Sequence, residues 1–194
     1  MSAFYIILSL LLWGLVHSIL ASLGFKSFLA NLLGDAPMRG YRLFYNVFSF
    51  LSFLPILYLV VALPDARLYS VSAPLSYAMM FGQGVMVILL VVGVLQTGML
   101  TFAGLRQLIE GERPPKFITN GLYRFVRHPL YTAGILFLWL SPQVTVNSFT
   151  LYIAAMIYIF IGAYFEERKL AREFGAAYAE YRSKTPMFIP CLKG

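Results

Sequence analysis

The chain has 194 residues, of which 60% are apolar and 12% charged, with a net charge of +7. Soluble domains run at roughly 45–50% apolar and about 25% charged residues. At a mean hydropathy of +0.76, an ordinary soluble protein and a disordered one are both excluded. The single cysteine, Cys191, excludes a disulfide framework, and two histidines, His17 and His128, argue against a multi-histidine metal site.

A bilayer core needs about 20 apolar residues as helix. Five segments are candidates: Ala3–Leu23, Leu43–Leu63, Tyr77 to about Leu105, Pro129 to about Val146, and Phe149–Phe165. None of them contains Asp, Glu, Lys or Arg. No basic residue precedes Lys26, and the first apolar run is too long for a signal peptide, so it reads as a retained helix. His17 lies within it and is expected to be satisfied by a neighbouring helix. The connection 141–148 is uncharged and holds the turn residues Pro142 and Asn147, which predicts a tight helical hairpin from the last two segments. Beyond it, Leu170, Phe174, Tyr178 and Tyr181 form one stripe of an amphipathic helix over 166–184, which Pro186 and Pro190 end.

Fourteen of the fifteen basic residues fall in 24–42, 106–128 and the tail after Phe165, and only Arg67 falls between the second and third segments. The positive-inside rule therefore predicts the N-terminus outside and the C-terminus inside. The fold class expected is an all-α integral membrane protein with five transmembrane helices. Residues 1–100 carry three spans, the third ending near 105. Residues 101–194 form a catalytic region with the hairpin and the C-terminal helix, and its cytoplasmic pocket lies between the 106–128 loop and that helix. No nucleic acid and no metal are expected as partners.

Ionisable residues concentrate in two places. The first ends in Arg127-His128-Pro129-Leu130-Tyr131. The residue before a proline is pushed to an extended conformation, and proline suits the first position of a helix. The fourth helix thus begins here, with free N–H groups aimed at the cytoplasmic loop. Arg127 beside it is placed to pair with a carboxylate, and Tyr131 adds a phenol. Read alone, the same residues are a positive-inside anchor with a proline start to the helix. The second place is Glu166-Glu167, at a helix end where carboxylates oppose the macrodipole unless they have partners. A local pair of Glu166 with Lys169 is one reading, and a carboxylate held for a cation or sugar hydroxyls is the other.

The stretch Gly121-Leu-Tyr-Arg-Phe-Val-Arg-His-Pro-Leu-Tyr131, Gly134, Glu166-Glu167, and Phe174-Gly-Ala-Ala-Tyr178-Ala-Glu-Tyr181 resembles the isoprenylcysteine carboxyl methyltransferases over about residues 101–190. The phospholipid N-methyltransferases share its Arg-His-Pro-x-Tyr and Glu-Glu pattern. The resemblance implies S-adenosylmethionine as methyl donor, leaving as S-adenosylhomocysteine. It implies a cofactor site of Gln107, Pro115, Lys116, Phe117, Ile118, Tyr123, His128, Pro129, Leu130, Tyr131 and Glu166, with Arg127 and Glu167 as the candidate catalytic pair. The implied acceptor is the carboxylate of a C-terminal prenylated cysteine, or a similar lipid-linked acid, arriving from the bilayer among membrane lipids. Eukaryotic members carry an arginine one turn before the glutamates, where this chain has Gly162. A carboxylate is ionised at neutral pH and needs no base, so His128 is expected to position the cofactor. Alternatives are a phospholipid N-methyltransferase, a membrane reductase of the sterol type, and a non-catalytic relative.

Overall fold

A computed structural model describes residues 1–111 and 116–190. In chain order the elements are α1 (Ser2–Ala21), α2 (Leu23–Leu33), α3 (Asp35–Met38), α4 (Tyr41–Ala62), β1 (Arg67–Ser70), α5 (Leu75–Thr97), α6 (Met99–Ala103), α7 (Leu105–Glu110), α8 (Pro129–Trp139), β2 (Gln143–Thr145) and α9 (Val146–Lys184). A 3-10 turn covers Gly121–Arg124. Four of the helices, α1, α4, α5 and α9, are long and apolar enough to cross a membrane. Large apolar side chains such as Phe50, Val61 and Phe81 stand exposed on them, as suits a lipid environment. The chain is a mostly helical, multi-pass integral membrane protein.

Three expectations change. The fourth predicted span is an 11-residue helix, about 16 Å long at ~1.5 Å per residue, roughly half of a ~30 Å hydrocarbon core. The tight hairpin turn after it holds a strand instead, because Pro142 disfavours further helix and the β-branched Val144 and Thr145 suit an extended backbone. The third segment ends at Thr97, where Gly98 turns the chain at φ 86. By contrast the tail helix is continuous with the fifth span as α9, bent at Gly175.

The chain forms two compact units. The first comprises residues 1–66, 98–115 and 146–151. Here α1 packs on α4. The Trp13 indole N–H donates to Ser52 Oγ at 3.0 Å, and the Tyr45 hydroxyl lies 2.6 Å from His17 Nε2, so a neighbouring helix satisfies His17 as expected. Asn147 is fully buried and donates through Nδ2 to the carbonyls of Val60, Leu63 and Pro64, tying the start of α9 to the end of α4.

The second unit comprises residues 67–97, 116–145 and 152–194. In it α8 packs along α5. A Cβ on Gly93 would sit 2.6 Å from Leu130 Cδ2, and one on Gly82 3.0 Å from Leu140 Cδ1, so the small residues of α5 let the two backbones approach. β1 and β2 pair antiparallel, with Arg67 opposite Thr145, Tyr69 opposite Val144 and Ser70 opposite Gln143. The pairing satisfies backbone groups that would be costly to leave open in a membrane.

Candidate functional site

The site is built in the second unit around the start of α8. His128 has φ −122 and ψ 63, outside the helical region that a following proline disfavours, and Pro129 takes the first helical position. The stretch leading into it is fixed from behind by residues 185–188. The N–H groups of Arg127 and His128 donate to the carbonyls of Pro186 and Met187 at 2.9 and 3.1 Å. The Thr132 hydroxyl donates to the Phe188 carbonyl at 2.9 Å, and the Phe188 ring lies 5.7 Å from that of His128. Backbone groups just ahead of a helix, which would otherwise need water, are thereby satisfied within the chain.

Glu167 is the hub of the cluster. Arg127 Nε and Nη2 donate to its two oxygens at 2.9 Å each, a bidentate pair. His128 Nε2 lies 2.8 Å from Oε1, and the Tyr178 hydroxyl donates to the same oxygen. All four side chains are buried. Burial alone would push the Glu167 carboxyl up, but the hydrogen bonds from His128, Arg127 and Tyr178 and the Arg127 charge outweigh it and hold it at about 2. Arg127 Nη1 also donates to the carbonyls of Thr185 and Arg182. Each of the three guanidinium nitrogens of Arg127 is therefore engaged by the chain's own acceptors.

Glu166, one residue earlier on α9, differs from its neighbour. Its side chain is 45% exposed and accepts a hydrogen bond from the Tyr131 hydroxyl at 2.8 Å. His128 Nδ1 stands 3.7 Å from the same carboxylate. The His128 and Tyr131 rings stack 5.3 Å apart at 6°. Burial, and then the charge of Glu166, push the Tyr123 phenol up to about 12. The Tyr123 carbonyl accepts from the Tyr181 hydroxyl at 2.5 Å.

A pocket of about 400 Å³ is lined by Gln96, Lys116, Phe117, Ile118, Thr119, Asn120 and Gly121, within the ~300–1,000 Å³ of small-molecule sites. Phe117 connects it to the cluster, its ring 6.0 Å from that of Tyr178, and it also stacks 4.7 Å from Phe174 and lies edge-on to Tyr181 at 5.5 Å. Gly121 has φ 61, and a Cβ there would fall 1.9 Å from Gln96 Nε2. Only glycine permits this backbone against the amide, whose Oε1 accepts from Leu122 N at 3.1 Å.

The structure thus brings together Arg127, His128, Tyr131, Glu166 and Glu167, and puts Pro129 and Leu130 in the same first turn. Lys116, Phe117 and Ile118 line the adjoining pocket, and Tyr123 is close enough to Glu166 to feel its charge. Gln107 belongs to the first unit, where its amide donates to the Thr101 carbonyl. Pro115 lies outside the described residues. Sequence reasoning missed Gln96, Asn120 and Tyr178 as site components. Gln96 had a signal, since a polar residue within an apolar span is a candidate by default.

Comparison with known proteins follows the same lines. The NnrU protein family profile matches residues 5–189. A methanethiol S-methyltransferase of Crocosphaera subtropica is 29% identical over 188 residues, covering 93% of this chain and 72% of that protein. Methanethiol S-methyltransferase 1 of Bradyrhizobium diazoefficiens is 42% identical over 77 residues, 40% of this chain and 27% of that protein. A protein-S-isoprenylcysteine O-methyltransferase of Schizosaccharomyces pombe is 35% identical over 80 residues, 39% of this chain and 33% of that protein, which bears out the resemblance read from the motifs. The chain spans about a third of the length of several such relatives, 36% in the case of the Pseudomonas deceptionensis methanethiol S-methyltransferase. No solved structure matches. By a match that runs from residue 5 to residue 189, the chain belongs to the NnrU family.

Proposed function

We propose that this chain is a membrane methyltransferase using S-adenosylmethionine. The observation that carries the reading is the cluster of His128, Tyr131 and Glu166 on a buried Arg127–Glu167 pair. It occurs in a chain of which 93% aligns with a protein named as a methyltransferase. The donor set fits the cofactor. Glu166 is a half-exposed carboxylate steadied by one phenol, which suits an ammonium or sulfonium group. The amides of Gln96 and Asn120 and the ring of Phe117 line a neighbouring pocket, which suits a purine and a ribose. The bound cofactor supplies an electrophilic methyl. The chain's residues hold it, align the acceptor and keep water away.

Two acceptors are supported. The motif resemblance points to the carboxylate of a prenylated cysteine, or a similar lipid-linked acid, entering from the bilayer. The relatives' names point to a thiol. The relative named for a thiol aligns over 93% of the chain and the one named for isoprenylcysteine over 39%, which favours sulfur. The test is calorimetric titration of S-adenosylmethionine into the purified protein, with Glu166→Ala beside it. Loss of one charged hydrogen bond costs about 1.5–3 kcal/mol, so the variant is expected to bind more than ten-fold more weakly. Radiolabelled methyl transfer to ethanethiol, to a farnesylcysteine analogue and to phosphatidylethanolamine then ranks the acceptors. A wild-type protein that binds no S-adenosylmethionine overturns the reading.

A further inference from the structure

We propose that His128 is the general base of this site and that through Nδ1 it takes the proton of a thiol acceptor. The inference rests on the methyl-transfer reading above and deepens it. An ionised carboxylate only accepts hydrogen bonds. At 2.8 Å from Glu167 Oε1, His128 Nε2 must therefore carry the hydrogen, and in the neutral ring the lone pair sits on Nδ1. That nitrogen faces Glu166, the half-exposed member of the cluster, at 3.7 Å. The imidazole is thus fixed with one nitrogen bound to a buried carboxylate and the other turned, as a base, toward the open side. The backbone bonds of His128 to Met187 and the parallel Tyr131 ring keep it from turning.

The base also discriminates among acceptors. A carboxylate is already ionised at neutral pH and gives it nothing to do. An ammonium has no lone pair to attack with until its proton is gone, whereas a thiol attacks through a sulfur lone pair it already carries and needs a base only to take its proton as the new bond forms. In the step, the thiol S–H bond breaks and its electron pair stays on sulfur. The proton goes to Nδ1. The new sulfur–carbon bond forms as the methyl's bond to the donor sulfonium breaks, and that pair leaves with the donor sulfur. The positive charge lost from the sulfonium reappears on the imidazolium, between Glu166 and Glu167, and the proton leaves to solvent past Glu166. Arg127 and Glu167 act through His128, as positioning residues.

The protein has only two histidines, so a ¹⁵N-histidine spectrum of the full-length protein in detergent reads the tautomer directly, with His128→Asn assigning the signal. An Nε2–H tautomer at neutral pH is expected, and an Nδ1–H tautomer overturns the proposal without touching the methyl-transfer reading. Wild type and His128→Asn are then compared for S-adenosylmethionine affinity by calorimetry and for methyl transfer to ethanethiol against pH. The expected result is retained binding with kcat lower by roughly 10²–10⁴-fold at neutral pH, the deficit closing as pH approaches that of the free thiol. The groups facing His128 that bear on the profile are Arg127, Tyr131, Glu166, Glu167 and Tyr178. A second variant, His128→Gln, covers a folding failure of the first. Near-wild-type kcat on the thiol in either variant, or methylation of farnesylcysteine with none of ethanethiol, overturns the base.

Discussion

Glu167 shows how one residue can hold a site together without being available to a ligand. Its two oxygens receive four hydrogen bonds from three side chains, and removing its charge leaves Arg127 buried and uncompensated. Breaking such a pair costs about 3–5 kcal/mol, whereas replacing both partners by apolar residues of similar volume is often neutral. Glu167→Gln is therefore expected to lower the melting temperature sharply, and the double variant Arg127→Met/Glu167→Leu to recover much of the loss while remaining inactive. Differential scanning fluorimetry in one detergent decides it, and equal losses in the two proteins would contradict the pairing account. The same carboxyl sets an acid limb. Its folded value, about 2, lies below the ordinary value near 4.5, so the stability it contributes is complete above about 4.5 and is lost as pH falls toward 2. The melting temperature should hold from pH 7 to 5 and drop below 4.5, and the drop should be shallower in Glu167→Gln.

Two bends at the scale of elements bring distant parts of the sequence to the site. α9 carries Glu166 and Glu167 before Gly175 and Tyr178 and Tyr181 after it. At Gly175, φ 52 and ψ −124 place the backbone where residues with a Cβ are strained by about 1–3 kcal/mol. Nothing lies within 4 Å of a Cβ there, so the cost of Gly175→Ala is conformational. It is expected to shift Tyr178 off Glu167 and to destabilise the second unit by that amount, as scanning fluorimetry would register. Gly121 is the opposite case. Gly121→Ala forces Gln96 out of its position, and S-adenosylmethionine affinity is expected to fall with the melting temperature changed much less. Unaltered affinity would separate the pocket from the cofactor. The run 174–181 has a legible spacing in the sequence, with Phe174, Tyr178 and Tyr181 on one stripe. Periodicity of side chains does not report a backbone turn that keeps the same face. The strands were illegible for another reason: β1 and β2 are four and three residues long, far apart in the chain, and pair through backbone atoms. The long apolar runs, the start of α8 at Pro129 and the Arg127-to-Tyr131 and Glu166-Glu167 pieces of the site were legible, because each has a local chemical cause.

At the scale of the molecule the second unit itself supplies the means to count the crossings. Residues 129–145 run antiparallel along α5. Leu130 lies against Gly93 near the end of that helix, Leu140 lies against Gly82 near its start, and β2 pairs with β1 just ahead of it. Gln83 and Gln96 mark the two levels, about 20 Å apart at ~1.5 Å per residue. At the first, Gln83 Nε2 donates to the Phe137 carbonyl. At the second, Gln96 meets Leu122 and shares a pocket with Lys116. An 11-residue helix followed by an extended strand thus covers the distance that α5 covers as helix, and the strand's backbone is satisfied by β1. α9 then returns, since Thr185 is bonded to Arg127. If the segment 129–145 crosses the bilayer, Lys116 and Lys184 lie on one side and Arg67 on the other, and the basic-residue split makes the first side cytoplasmic. If it enters and turns back, Lys184 lies opposite Lys116. In a Cys191→Ser background, single cysteines at positions 67, 116 and 184 are expected to react with an impermeant maleimide from opposite faces of sealed vesicles, position 67 from outside and the other two only after permeabilisation. Labelling of 116 and 184 from opposite faces would leave four crossings and remove the fifth.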